Sequence, residues 1–582
     1  MVKKFSLLFA VLLLLCTILL VSCAENDSGA DVTSSWTEET SAPKNIELVV
    51  DGKAQYKIVC SDIVEKDSEI LEAAVDISGK IKELTGVTPM LGTDFVKGDE
   101  KLDSQAREII VGATKHEESR ALLKNMDFND YRICQTGNKL IVVSFSEEGY
   151  EKALEELFEL FEAASSNGSL VLEGGIDISG SLNSYEMFDD VPMYNGGCPL
   201  EIFDTADENY MIPILDTDSE EYEEYCDELA ENGFELYAEN KIGDNLFSTY
   251  TKEDCILNCY YSVNDDAVRI IVEPNDSALP EKVGPYEKIC EPQFSMVGLE
   301  FYGKGEDGIY NQIGLFMIWR LSDGRFVVVD GGGHYNAMGN KIASVLSSMA
   351  VDKNKITVAA WIFTHAHGDH AGGFLKFSDT DTAKKTTVEN FIFNFGTGEL
   401  YDNLEEGPER GRLDDVRKKL ETKYADSNHI KAHSGQVFHF ADIEIEMLYT
   451  LEDQYPNSFK THNITSIVFR VNIGGKTFMA LGDAYTTTSN LLVKRYGDEL
   501  KSDIVQVTHH GFVGGTIPLY SKIDPDIVFW PGGDYRFTDL SQVSYNKHLL
   551  NNLSVKKVYV AGNRVYIFTL PSDYMSPDGT DK

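Results

Sequence analysis

The chain has 582 residues, of which 42% are hydrophobic and 25% charged, and its formal net charge is -44 at pH 7. This composition is typical of a soluble globular protein and excludes a disordered chain, and the length predicts about two to four domains. The large negative charge predicts a solvated acidic surface. It disfavours extended nucleic acid as a partner, because nucleic-acid recognition rests on Lys and Arg side chains that neutralise phosphates.

The first 22 residues have the pattern of a bacterial export signal. Lys3 and Lys4 precede the apolar run FSLLFAVLLLLCTILLV, and a polar stretch follows. The LVSC ending at Cys23 resembles a bacterial lipobox, which implies cleavage before Cys23 and lipid attachment to its sulfur. An uncleaved anchor helix is the alternative, although no stop-transfer charges follow. Either form of anchor, the lipid on Cys23 or the uncleaved helix, predicts an extracytoplasmic protein tethered to a membrane, with residues 23–45 as a flexible linker.

Residues 46–185 are predicted to form a small α/β domain. YKIVC and REIIVGAT predict strands, DYRICQTGNKLIVVSF predicts a hairpin, and an amphipathic helix ends before Gly86. The succession ELTGVTP, EIIVGAT and ESRAL is similar to the amino-terminal accessory domain of some bacterial glycosidases. That resemblance implies possible glycan contact and carries no catalytic motif.

Residues 186–292 are predicted to form a small α+β domain. SEEYEEYCDELAENG predicts a helix, and FELYAEN, LFSTYTKE and CILNCYYSVNDDAVRIIVEP predict short strands and a hairpin. The pattern contains no recognisable site. We interpret this segment as a spacer or a partner-binding module.

From residue 293 to 575 the pattern changes to apolar strands that each end in a polar or glycine-rich turn. RFVVVDGGG reaches Asp330, KTFMALGDA reaches Asp483 and DIVQVTHHG reaches His510. Ligand groups in α/β sheets collect at the carboxyl ends of strands, where loops converge. Ten of the 12 histidines lie between residues 334 and 510. Burying so many imidazoles is costly unless they have partners, and a metal centre supplies a reason to gather them.

The segment WIFTHAHGDHAGG concentrates candidate metal ligands on one loop. His365 and His367 can aim at one ion, while Asp369 and His370 face a second ion. The glycines of the loop are predicted to let it bend sharply. Three further histidines, at positions 429, 433 and 439, fall in a polar connection and are expected to be solvated. His334 is a candidate for lining the cleft, with a turn residue as the alternative.

THAHGDHAGG resembles the signature of the metallo-β-lactamase superfamily. Asp330 matches the family's early aspartate, which steadies the metal loop, and Asp483 matches the carboxylate that bridges two metals. His462, in HNITSIVF, matches the family's His-x-x-Gly-Ser element, although Thr465 replaces the glycine. His510 matches the last ligand, and the adjacent His509 competes for that assignment. The resemblance covers residues 293–575 and implies an αβ/βα four-layer sandwich.

The resemblance also implies a dinuclear metal centre. One ion would be held by His365, His367 and His462. The other ion would be held by Asp369, His370 and His510, and Asp483 would be shared by both ions. These ligands contain no thiolate, since no cysteine lies beyond residue 290, so Zn²⁺ suits them first, with Mn²⁺ or Fe possible. A hydroxide between the ions would attack the substrate, and Asp369 or His509 would handle the proton.

Two stretches narrow the substrate class. ITSIVFRVNIGGKTFMALGDA and DIVQVTHHG are similar to the extracellular hydrolase domain of bacterial DNA-uptake proteins and to choline-phosphate esterases of bacterial surfaces. This similarity implies a phosphodiesterase acting on a small molecule or a cell-wall polymer. Two alternatives stay open: a hydrolase of another ester, a lactone or a β-lactam, and a non-catalytic glycan-binding lipoprotein with a vestigial metal domain.

Overall fold

The structure is a computed structural model and describes residues 44–62, 68–97, 101–182, 185–253, 255–275, 277–299, 313–404, 409–457, 459 and 461–581. The predicted signal peptide, the lipidation site Cys23 and the linker up to residue 43 lie outside the described residues. The described residues belong to one unit, Lys44–Lys582. Within the ranges above, no helix combines the length and the apolar character needed to cross a bilayer.

The first module, residues 46–181, is built around a six-stranded mixed sheet. Its three central strands run parallel and are Lys57–Cys60, Glu108–Val111 and Lys139–Ser144. The other strands of the module are Ile46–Val50, Lys53–Ala54, Leu91–Thr93, Asp130–Thr136, Ser165–Ser166, Ser169–Leu172 and Asp177–Ser181. Its helices are Glu69–Thr85, Glu117–Leu123 and Glu147–Ala164. The first helix ends at Gly86, whose φ of 76° is the left-handed conformation that glycine favours.

The second module, residues 198–274, is an antiparallel sheet covered by one helix, Ser219–Glu231. The side chain of Asp218 accepts the backbone N–H groups of Glu220 and Glu221 and so caps this helix. The strands are Cys198–Pro199, Phe203–Ala206, Asn209–Leu215, Glu235–Ile242, Asn245–Thr251, Cys255–Ser262 and Ala267–Pro274. The last two strands form the predicted hairpin.

The C-terminal domain, residues 293–581, contains two sheets. The first has the spatial order Asn428–Lys431, Thr386–Phe393, Ile356–Ile362, Phe326–Asp330, Phe316–Arg320, Gln293–Val297, Val565–Thr569, Gly579–Asp581. The second has the order Val437–Phe440, Ile443–Tyr449, Val468–Ile473, Lys476–Ala480, Ile504–Gln506, Ile527–Trp530, Lys557–Val560. The helices are Asn336–Met349, Gly372–Phe377, Gly398–Leu404, Glu409–Lys423, Thr486–Tyr496, Ile517–Ile523, Asp534–Leu540 and Ser544–Asn552.

The strand Phe326–Asp330 shows how these layers pack. Successive side chains of a strand point to opposite faces of its sheet. Val327 and Val329 therefore pack into the core between the two sheets, whereas Phe326 and Val328 pack against the outer helices. Residues 326–329 are continuously apolar, as expected for a strand with both faces buried. The layers follow the order helix, sheet, sheet, helix, which confirms the predicted four-layer sandwich.

The second module packs directly on the C-terminal domain and helps to bury His433. The expectation that His433 is solvated is therefore wrong. His433 is fully buried, with Nε2 3.1 Å from Glu273 Oε1 and Nδ1 3.3 Å from Glu452 Oε1. Sequence spacing could not reveal this pairing, since Glu273 comes from the other module. His429 and His439, also expected to be solvated, lie half-buried on strands.

The buried His433 makes stability depend on pH. Burial would lower its pKa, but the carboxylates of Glu273 and Glu452 outweigh burial and raise the pKa to about 9. An unfolded histidine has a pKa of about 6.5, so the stabilisation is complete below that pH and is lost as pH rises through about 9. We expect the unfolding free energy to fall by about 3 kcal/mol from this group over that window. Denaturant titrations of the unchanged chain and of His433→Gln should show the steeper loss in the unchanged chain, with His548→Gln as control.

Candidate metal centre

Most of the predicted site residues lie at or just after the carboxyl ends of four strands. These strands are Phe326–Asp330, Ile356–Ile362, Lys476–Ala480 and Ile504–Gln506. The first two are parallel neighbours in one sheet and the last two are parallel neighbours in the other. Parallel strands end at the same edge of a sheet, so the loops that follow them converge.

Asp330 is fully buried beneath the histidine loop. Its Oδ1 accepts the Thr364 backbone N–H at 2.8 Å, and its Oδ2 accepts the Thr364 hydroxyl at 2.8 Å. The same Oδ2 lies 2.7 Å from His370 Nδ1. An Nδ1–H that donates to a carboxylate leaves Nε2 as the nitrogen that can bind an ion. Asp330 therefore orients His370 and lies outside both groups of candidate ligands.

His365, His367 and Asp483 form the first group of candidate ligands, and their donor atoms lie within 4.8 Å of one another. His365 is fully buried, with Nδ1 3.1 Å from the Ser466 hydroxyl and 3.2 Å from the Thr364 hydroxyl. Its buried Nε2 has no hydrogen-bond partner in the part of the chain that the structure describes. Such an orphaned nitrogen is costly unless an ion binds it, so the group fits a metal.

Asp369, His370, Asp483 and His510 form the second group, within the same 4.8 Å limit. Asp483 lies between the two histidines: its Oδ1 is 3.1 Å from His370 Nε2 and its Oδ2 is 3.2 Å from His510 Nε2. His510 Nε2 is also 3.3 Å from Asp369 Oδ2. Asp483 thus belongs to both groups, which is the place of a carboxylate shared by two ions.

His509 and His510 occupy different positions although they are adjacent. Both have left-handed φ values, 47° and 52°, and their rings are inclined at 66° to each other. His510 is buried inside the second group, whereas the His509 side chain is 21% exposed. His509 Nδ1 lies 2.6 Å from Val513 O, and its Nε2 lies 3.9 Å from Asp483 Oδ2. The structure therefore places His510 among the candidate ligands and His509 at the rim.

His462 lies beside the first group but outside it. Its ring centroid is 5.6 Å from that of His367 and 4.2 Å from that of Tyr401. Its Nε2 lies 3.1 Å from the backbone oxygen of Tyr401. Thr465, which replaces the family's glycine, donates its hydroxyl to His462 O at 2.8 Å. Of the seven predicted ligands, His462 is the one that the structure does not bring within the 4.8 Å limit.

The histidines of the site fall into two kinds, one with a lowered pKa and one with a raised pKa. Burial and the neighbouring His370 hold the pKa of His365 well below its usual value, so its imidazole is neutral and can donate a lone pair. Burial would also lower the pKa of His510, but Asp483 and Asp369 raise it to about 9. Burial would raise the pKa of Asp483, yet His370 and His510 hold it well below its usual range. The shared carboxylate is therefore ionised.

Gly368 lies in the turn at residues 368–370, and Gly372 and Gly373 permit close approach of neighbouring groups. Neither Gly372 nor Gly373 has a positive φ. A Cβ on Gly373 would overlap the backbone oxygen of Gly331, and one on Gly372 would lie 2.6 Å from His334 Cβ. The second contact also places His334 against the metal loop, as the cleft-lining interpretation requires.

Sequence reasoning missed three residues of the site: Thr364, Tyr401 and Asn463. Thr364 and Asn463 lie inside the quoted motifs, and Asn463 Nδ2 is 3.2 Å from His509 Nε2. Their positions could have drawn attention to them. Tyr401, which contacts His462, lies 61 residues earlier in the chain, and no sequence spacing indicates it.

Comparison with known proteins supports this interpretation of the C-terminal domain. The family model described as the metallo-beta-lactamase superfamily matches residues 315–532, which confirms the resemblance drawn from THAHGDHAGG. No curated protein matches the chain. The domain is a hydrolase fold of this superfamily with metal-binding residues at its site.

Several solved structures are similar to the chain at low identity. The metallo-beta-lactamase fold protein YhfI from Bacillus subtilis is 13% identical, covering 48% of this chain and 99% of that chain, with a TM-score of 0.29. Zn(2+)-bound PqqB from Methylobacterium extorquens is 10% identical, covering 48% and 100%, with a TM-score of 0.29. A diphosphatase from the PhnP family is 12% identical, covering 41% and 85%, with a TM-score of 0.23.

Proposed function

We propose that the metallo-beta-lactamase superfamily domain of this chain is a dinuclear zinc phosphodiesterase. The observation that carries the proposal is the pair of ligand groups that share Asp483. When bound there, two zinc ions would supply Lewis acidity toward the substrate and acidify water at neutral pH.

The described residues divide into two ligand sets. His365, His367 and Asp483 would hold one ion, and the neighbouring His462 is the candidate that would complete this set. The other ion would be held by Asp483 and three residues, Asp369, His370 and His510. Nitrogen and oxygen donors without a thiolate suit zinc first, and Mn²⁺ or Fe are the alternatives.

His509 is placed to accept a proton at the rim of the site. Its Nδ1–H donates to Val513 O at 2.6 Å, so Nε2 carries the lone pair and accepts from Asn463 Nδ2–H. That Nε2 lies 3.9 Å from Asp483 Oδ2 and 3.2 Å from Asn463 Nδ2, which fixes its direction. Asp369, whose side chain is 29% exposed, is the second candidate for the proton. Both side chains are partly exposed and lie beside the ligand cluster.

The substrate class rests on the similarity to DNA-uptake hydrolase domains and choline-phosphate esterases. The net charge of -44 favours a small or zwitterionic phosphodiester, or a cell-wall polymer, over duplex DNA. A lipid on Cys23 would tether the enzyme outside the cytoplasm. The first module would contact glycan and so keep the enzyme near such substrates.

Hydrolysis of bis-p-nitrophenyl phosphate is the direct test of this proposal. We expect the purified chain to contain about two zinc ions and to release p-nitrophenol. Removal of metal by a chelator should reduce turnover by more than about 100-fold, and added zinc should restore it.

Two other outcomes would redirect the proposal. Faster turnover of a carboxylic ester, a lactone or a β-lactam would keep the metal centre and replace the phosphodiester as substrate. Full zinc occupancy without turnover of any of these substrates would contradict an enzyme and favour the glycan-binding lipoprotein.

A further inference from the structure

The junction between the second module and the C-terminal domain contains buried charged groups. Arg269 and Glu273 come from the second module and are 5% and 4% exposed, while Glu452 and Asp453 of the C-terminal domain are fully buried. Removing one partner from such a cluster leaves an uncompensated charge, so the cluster holds both segments in one arrangement. The second module is therefore more than the spacer that its sequence suggested.

Arg269 binds the backbone of one short segment through three hydrogen bonds. Its Nε donates to Glu452 O at 3.2 Å, and its Nη2 donates to Asp453 O at 3.3 Å and to Tyr455 O at 3.0 Å. A guanidinium is planar and rigid, so its bonds to three carbonyls fix the positions of those carbonyls relative to one another. The segment 452–455 is thus held by a side chain from outside its own domain.

Tyr260 of the second module reinforces this hold. Its hydroxyl donates to Asp453 Oδ1 at 2.6 Å, in a fully buried contact. The other oxygen of Asp453 accepts the Thr450 backbone N–H at 2.9 Å and closes a capping box on the 3-10 helix Leu451–Gln454. The same carboxylate therefore links the second module to the local fold of this turn.

The segment that Arg269 holds leads into the next 3-10 helix, His462–Thr465, which begins with the candidate ligand His462. Residues 456–461 separate this segment from that helix. The helix His462–Thr465 is itself bound within its own domain, because the Tyr449 hydroxyl donates to Ile464 O at 2.8 Å. The turn that carries His462 is thus bound by Tyr449, and the segment that precedes it in the chain is bound by the second module.

We infer that the second module positions His462 for metal binding, through Arg269 and Tyr260. This inference rests on the proposed dinuclear centre, in which His462 completes the first ligand set. Arg269 and Tyr260 are positioning residues, since they contact the chain that carries the ligand and not the ligand cluster itself. Without these two side chains, the position of His462 relative to the first ion would be less constrained. The contacts that hold the second ligand set would stay unchanged.

Zinc binding by the full-length chain tests the inference without reference to turnover. In competition titrations with a chromophoric chelator, Arg269→Ala should lower the affinity of one of the two sites for zinc by about 10- to 100-fold and leave the affinity of the other site within about twofold. His462→Ala should lower the zinc affinity of the same site. The cobalt-substituted protein should show the same visible absorption change in both variants, because one ligand is displaced in each.

Two further variants separate positioning from general destabilisation. Tyr260→Phe removes one hydroxyl at constant shape, so it should weaken binding of the same zinc ion by a smaller factor and lower the melting temperature of the metal-free protein less than Arg269→Ala does. Arg132→Ala, which breaks an exposed ion pair with Asp177, is the matched control and should leave both zinc affinities unchanged. If Arg269→Ala does not fold, Tyr260→Phe and Arg269→Lys provide the result.

The outcomes distinguish this inference from the proposed function. If His462→Ala weakens one ion but Arg269→Lys and Tyr260→Phe bind both ions normally, the positioning role is overturned and the dinuclear centre stands. If His462→Ala also binds both ions normally, His462 is not a ligand, and both the ligand set and its positioning are overturned.

Discussion

Replacing Asp483 with alanine is expected to remove both metal ions and to reduce hydrolysis by more than about 1000-fold. Asp483 is the residue that belongs to both ligand groups, and its two oxygens lie 3.1 and 3.2 Å from His370 Nε2 and His510 Nε2. Its loss removes a ligand from each ion and leaves two imidazoles facing each other without the carboxylate between them. Metal content by mass spectrometry and turnover of bis-p-nitrophenyl phosphate measure the two effects separately.

Asp498→Ala is the matched control for this change. The Asp498 side chain is 90% exposed and pairs with Lys522 at the surface, so its removal should change neither metal content nor turnover. An Asp483→Ala protein that keeps two ions per chain would show that the carboxylate is not shared, and the arrangement of the centre would have to be revised.

His510→Ala and His509→Ala are expected to differ sharply although the residues are adjacent. His510 lies inside the second group, so its removal should lower the metal content by one ion and reduce turnover by more than about 100-fold. His509 lies at the rim, so its removal should leave two ions bound and lower kcat by about 100-fold, in the range of a lost proton acceptor. Metal content separates the two variants directly.

Turnover and metal content together test the role of His509. A His509→Ala protein that keeps both ions and an unchanged kcat would assign the proton to Asp369 instead. Loss of an ion in His509→Ala, with two ions retained in His510→Ala, would reverse the assignment that the structure makes.

The sequence pattern predicted the buried strands of the C-terminal domain because periodicity reports burial, whereas the four layers were implied by the resemblance to the superfamily. Residues 326–329 of the strand Phe326–Asp330 are all apolar, which is typical of a strand covered on both faces, and the structure buries the whole strand. The positions of candidate ligands at strand ends follow from the same pattern. The histidine motif added the ligand types, since its residues are close together in the chain.

Contacts between distant segments could not be predicted in this way. His433 looked solvated because its neighbours in the chain are polar, yet Glu273 of the second module and Glu452 of its own domain enclose it. The direction of the His462 ring depends on Tyr401, which no local pattern associates with it. The choice between His509 and His510 depends on two left-handed backbone angles that spacing alone does not specify.

Arg269 of the second module binds residues 452–455 of the C-terminal domain. The part of the chain recognisable as a hydrolase is therefore shorter than the part that must fold as one unit. A fragment starting at residue 293 would keep every candidate ligand, but it would leave three backbone carbonyls without Arg269 and the Asp453 carboxylate without Tyr260. Recombination that moved this catalytic segment alone into another gene would separate it from part of its scaffold. The two segments therefore form one structural unit, however independent they look along the chain.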